Sequence, residues 1–156
     1  MKKVSIYLIS LIFFFQTSLI AYSSDPRNFV EELVKDAIGK LSDKNLNDEE
    51  KIKFIEKVAL ENVDINALGL YTLGELRKSS DEQTIAKYQI AFQKYFLKSL
   101  TSRLTDYSSS QFEVLDEDKK SSNYTIVNSK VLPTDGGPEI KIDWRVYTKN
   151  PDKPLI

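Results

Sequence analysis

The stretch Ser80–Tyr107, SDEQTIAKYQIAFQKYFLKSLTSRLTDY, decides how the rest of the chain is read. Ser80 or Asp81 can accept the free amide hydrogens of a first helical turn, and Gln83 stands at the reciprocal position of a capping box. Ile85, Tyr88, Phe92, Phe96, Leu100 and Leu104 then recur at steps of three and four, with Tyr107 closing one apolar stripe of a helix. Lys87, Lys94, Lys98 and Arg103 occupy other faces. No Pro or Gly interrupts the run, so at 1.5 Å per residue it is roughly 40 Å long, enough to cross a small domain. The stripe carries large rings where Leu, Ile and Val are usual. It is either a core helix that needs bulk or one wall of an apolar cavity, and periodicity by itself favours the solid core.

Working outward, 156 residues leave room for one domain, and 41% hydrophobic with 29% charged residues is an ordinary globular balance. The net charge of −1 points to no polyanionic partner, so no nucleic acid is expected. The chain has neither Cys nor His, which removes disulfides, thiolate nucleophiles, Cys/His zinc sites and every imidazole-based triad. No cofactor is expected.

Residues 1–23 read as a targeting segment. Lys2 and Lys3 give a positive start, Val4 to Phe15 form an apolar run, and Ala21-Tyr22-Ser23 places small residues around a cleavage point. Gln16, Thr17 and Ser18 break the run before it reaches the length of a spanning helix, about 20 apolar residues. A cleaved export signal followed by a domain over 24–156 is the expectation.

Asp25-Pro26 opens a first helix with an Asx cap and Pro at the first position, and Phe29, Val30, Leu33, Val34, Ala37, Ile38 and Leu41 give its stripe. Asn47-Asp48-Glu49-Glu50 starts a second, whose acidic first turn suits the positive end of the helix dipole. A third is expected from Asp64 through Leu76, with Gly69 and Gly74 explained by close approach of another element or by a helix end at Gly74. From Gln111 the period changes to 2. Phe112 to Glu117 and Tyr124 to Leu132 read as strands around a charged turn at 116–120, and a turn at 133–138 leads to Ile140-Lys141-Ile142-Asp143-Trp144-Arg145-Val146-Tyr147, the cleanest alternation in the chain. Helices followed by an antiparallel meander make an α+β domain with helices on one sheet face.

Two charged segments are candidate sites. Asp116, Glu117 and Asp118 lack the glycine-spaced pattern of a calcium loop and read as a solvated hairpin tip. Arg77-Lys78 can meet an anionic head group or membrane surface, or simply sit exposed at a helix end.

Three segments carry a resemblance. Thr72-Leu73-Gly74-Glu75-Leu76-Arg77-Lys78-Ser79-Ser80 is similar to the V-L-G-x-aromatic-aromatic-basic-x-Ala/Ser segment of the MlaC family, also described as toluene-tolerance auxiliary proteins. The helix with Phe92, Tyr95-Phe96-Leu97 and Tyr107 resembles its F…F…Y helix, and Ile140 to Arg145 resembles its V-x-L-D-aromatic strand. The likeness runs from Phe29 to Tyr147 in one element order, with Leu76 and Arg77 standing where the family has aromatics. It implies a periplasmic, non-catalytic carrier of phospholipid in Gram-negative bacteria, expected to be a monomer. Its partners would be an outer-membrane lipoprotein complex and an inner-membrane ABC transporter complex.

The family fold is a curved antiparallel sheet with helices enclosing an apolar cavity. Leu73, Leu76, Phe92, Phe96, Ile126, Ile142, Trp144 and Val146 are the residues expected to face the acyl chains. The family continues past the position of Pro154-Leu155-Ile156 into a last strand and a C-terminal helix, so an incomplete domain is expected. Three alternatives remain: a periplasmic interaction module with a solid core, an enzyme using Asp143 as base, or a non-functional remnant of a carrier.

Overall fold

Among the described residues, five helices and a three-stranded antiparallel sheet give the α+β architecture that the change of period predicts. The computed structural model describes residues 22–104, 111–134 and 136–156. The Leu104 side chain, Tyr107 and the targeting segment as far as residue 21 lie outside the described residues.

Local chemistry sets the helix starts. In α1 (Pro26–Ser42) the Asp25 carboxylate accepts the Asn28 amide at 3.0 Å, with Pro at the first position. In α2 (Asp48–Asn62) both halves of a capping box are made: the Glu50 amide donates to Asn47 Oδ1 at 3.0 Å, and the Asn47 amide to Glu50 Oε2 at 2.9 Å. α3 (Ile65–Thr72) starts on Asp64, which accepts the Ala67 amide at 2.9 Å. It stops at Thr72, short of the expected Leu76, because Gly74 takes φ +54, a left-handed conformation that glycine enters without a Cβ clash. α4 (Leu76–Ser79) is a separate single turn.

Gly69 has the other reason. A Cβ there would lie 3.1 Å from Phe92 Cδ1 on α5 (Glu82–Leu104), where the two helices pack together. Gly69→Val is therefore expected to push the helices apart and destabilise the fold by about 1–3 kcal/mol, the usual cost of overpacking, in urea unfolding.

The start of α5 is held by the Asp81 carboxylate, with Thr84 as its main donor and the Gln83 backbone amide as a lesser one. The Thr84 amide and hydroxyl both donate to the Asp81 carboxylate, at 2.9 and 2.8 Å. These bonds hold the Asp81 carboxyl below the usual carboxylate range. The folded pKa is the lower one, so this stability is complete above the unfolded pKa and is lost as pH falls through the folded value. Thermal melts of Asp81→Asn, which caps but does not ionise, are expected to vary less steeply with pH than those of the parent below roughly pH 4.

Strands β1 (Gln111–Ser121), β2 (Tyr124–Leu132) and β3 (Ile140–Tyr147) pair in that order. The charged run 116–120, read from sequence as a turn, is strand: β1 continues to Ser121, and the reversal falls at 122–123. An edge strand exposed on both faces carries charge without burying it. Here Asp118 pairs with Lys120 and Asp116 accepts from Asn128. Irregularities after Val114 and Lys119, together with these charges, blunt the edge against further pairing.

Register sets which residues point inward. Ile140, Ile142, Trp144 and Val146 oppose Val131, Ser129, Val127 and Thr125, and all eight share the helix-covered face. Phe29, Val30 and Leu33 of α1 close over Val127 and Val146 to make the dry core. Arg27 clamps α1 to β1 through the carbonyls of Val114 (3.0 Å) and Leu115 (3.3 Å). Tyr22, on the targeting side of the expected boundary, sets its ring edge-on to Phe29 and donates to Asp36 at 2.9 Å.

At the other end, Leu155 exchanges backbone bonds with Tyr147. The Ile156 amide donates to the Asn62 carbonyl, and its carbonyl accepts from Asp64, so this segment bridges β3 and the α2–α3 junction. Among the described residues no helix is long and apolar enough to cross a membrane.

Candidate functional site

The stripe of α1 divides along its length. Its first turns bury Phe29 and Val30 against the sheet, Leu33 belongs both to that core and to the border of a hollow of about 410 Å³, and Val34, Ala37, Ile38 and Leu41 continue the border. α2 adds Ile55, Val58 and Ala59, α5 adds Phe96 and Leu100, and the sheet closes the far side with Val131, Ile140, Ile142 and Trp144. The volume falls within the roughly 300–1,000 Å³ of small-molecule pockets. A solid-cored module would have no such space.

α5 shows the same thing in its burial. Ile85, Tyr88, Phe92, Phe96 and Leu100 are each half-buried and none is fully buried, as expected of a stripe that borders open space on one side.

The wall is kept apolar by one polar residue. Trp144 Nε1 donates to Ser129 Oγ at 2.8 Å, and Ser129 donates in turn to the Ile142 carbonyl at 3.1 Å. The only polar atom of the indole is thus satisfied within the sheet, and the ring offers carbon to the hollow. Phe112 meets it edge-on, with centroids 6.4 Å apart. Ser129→Ala leaves the indole N–H without its acceptor, and an expected loss of about 1–3 kcal/mol should appear in chemical denaturation.

The eight residues expected to face acyl chains fall in different places. Phe96, Ile142 and Trp144 border the hollow. Phe92 sits one turn away, its ring stacked on Phe96 with centroids 6.2 Å apart and pressed on Gly69, so it holds α5 to α3. Val146 shares the inner face but is sealed into the dry core. Ile126 is corrected by register: it pairs with Arg145 on the outer face. Leu73 and Leu76 flank the Gly74 bend away from the hollow, and Leu76 is 63% exposed. Sequence reasoning missed the contributions of α1 and α2 as cavity wall. The α1 signal, the spacing of Val34, Ala37, Ile38 and Leu41, marks an apolar stripe without telling what the stripe faces.

A second, larger hollow of about 950 Å³ lies beside the first; Val63, Leu68 and Ile156 border both. Its walls include Tyr71, Arg77, Arg145, Lys149 and Lys153, and the Arg145 guanidinium rests 5.5 Å from the centroid of the Tyr71 ring. Of the basic pair Arg77-Lys78, Lys78 is engaged by Glu75 at 2.8 Å and Arg77 borders this groove. Asp143 stands exposed at its edge. Among the described residues no group of carboxylates gathers as a metal site.

The family model described as MlaC protein matches residues 31–156. No curated protein matches. Among solved structures, the phospholipid-binding protein from Ralstonia solanacearum, determined in complex with a phospholipid, aligns with a TM-score of 0.66. Identity is 14%, over 84% of this chain and 74% of that one, so the likeness is one of fold.

Proposed function

The chain belongs to the MlaC family, and from that premise we propose that it is a periplasmic carrier holding a phospholipid by its acyl chains in the hollow between α1, α2, α5 and the sheet. The observation that carries this reading is the composition of the wall: aliphatic and aromatic carbon, with the Trp144 N–H turned into the sheet. Each methylene withdrawn from water contributes about 0.8 kcal/mol, so a sixteen-carbon chain gains on the order of 13 kcal/mol before ordering costs. Such a term suits a ferry better than a reaction. It is large enough to hold a lipid in transit, and no step in it makes or breaks a bond. The membrane partners at either end of the route are those of the family, an outer-membrane lipoprotein complex and an inner-membrane ABC transporter complex.

The structural likeness to a protein solved with a phospholipid supports the choice of cargo. To test it, the exported chain is purified without detergent, extracted with organic solvent and examined by mass spectrometry. Phospholipid at up to one molecule per chain is expected. A chain that repeatedly yields none under native conditions overturns the reading.

A further inference from the structure

We propose that the larger groove is a head-group site with a preference for phospholipids of net negative charge; this deepens the carrier reading above and rests on it. Arg77, Arg145, Lys149 and Lys153 border the groove, against the carboxylates of Asp64 and Asp143. Asp64 already accepts the Ala67 amide at the start of α3. Among the described residues none of the four cations makes an ion pair with a carboxylate. Arg145 is steadied by the Tyr71 ring, which orients a guanidinium without neutralising it.

Position gives these cations their use. The groove and the apolar hollow share Val63, Leu68 and Ile156 as a common border. Arg145 projects to the outer face of β3, the edge strand, so a lipid with its tails in the hollow would pass these three apolar side chains at the sheet edge to bring its polar end to the cationic groove. Phosphate oxygens match the forked donors of arginine and the point charges of lysine. A phosphatidylglycerol head group keeps its full negative charge there, whereas the quaternary ammonium of phosphatidylcholine meets like charge.

The purified exported chain is incubated at low salt with vesicles of labelled phosphatidylglycerol and phosphatidylcholine in equal amounts, then separated from them, and its lipid is identified. A preference of roughly fivefold for phosphatidylglycerol is expected, about 1 kcal/mol at 1.4 kcal/mol per tenfold. It should fall towards parity at high salt and in the triple variant Arg77→Gln, Lys149→Gln, Lys153→Gln. All three positions are exposed, and circular dichroism verifies that the variant folds.

Equal capture of both lipids by the parent, or a preference that survives in the variant, overturns the head-group site and leaves the carrier reading standing. Capture of neither lipid overturns both. Inorganic phosphate titrated into the chain separates the remaining source: binding of free phosphate without a lipid preference makes this a free-anion site and overturns the assignment. So does protein that pellets with the vesicles without removing lipid from them, since that is surface docking.

Discussion

Ala37→Phe is expected to abolish lipid loading while leaving the fold as stable as before or slightly more so. Ala37 lies on α1 between Val34 and Leu41 and faces the hollow. In a close-packed interior a new ring at an alanine position forces neighbours aside and costs about 1–3 kcal/mol. Where the ring enters open apolar space, it gains contacts and buries surface at about 25 cal/mol per Å². The weaker helix propensity of Phe opposes this by only about half a kcal/mol. The sign of the stability change thus reports whether the space is real. The same ring takes the volume that an acyl chain would fill, so mass spectrometry of the purified variant should find lipid reduced at least tenfold. A destabilised variant that still carries lipid at the parent level would mean that the wall is solid here and that cargo binds elsewhere.

The helix starts and β3 were legible because each depends on a few neighbouring residues. Asp25-Pro26, Asn47 with Glu50, and Asp64 satisfy amides within their own first turns, whatever the rest of the chain does. Ile140 to Tyr147 alternates without exception and could be placed by phase alone. The phase of β2 was not legible in the same way. Ile126 and Val127 are both apolar and point to opposite faces, and only pairing with Arg145 and Trp144 reveals which one is inside. The run 116–120 has no buried face at all, so its composition imitates a loop although its backbone is paired.

The hollow itself is the harder case. Stripe spacing says which side of a helix leaves water, yet it says nothing of whether the opposite side chains meet. Val146 and Trp144 sit two residues apart on one face, and only the first is sealed by Phe29 and Val30.

The second large effect is a contrast between two phenylalanines. Phe29 is 1% exposed and packs with Val127, Val146 and the Tyr22 ring, whereas Phe96 borders the hollow and is half-buried. Truncating a fully buried ring removes its transfer energy and leaves a cavity, about 3–5 kcal/mol for Phe→Ala. Against a total of roughly 5–15 kcal/mol for a native domain, Phe29→Ala is expected to leave a chain that is marginal at 25 °C. A ring bordering open space has no partner atoms on that side, so much less contact energy is lost on its removal. Phe96→Ala should therefore cost under about half as much as Phe29→Ala while enlarging the hollow.

Urea unfolding with equal slopes for parent and variants is the comparison that counts, because a changed slope would signal a different denatured state. Loss of Phe29 also frees the first turns of α1, the helix whose later turns wall the hollow, so lipid retention should fall together with stability in that variant. In Phe96→Ala retention should move by less than stability does in Phe29→Ala. Equal destabilisation at the two positions would place both rings in one continuous solid core, and the space between α5 and the sheet could then hold no lipid.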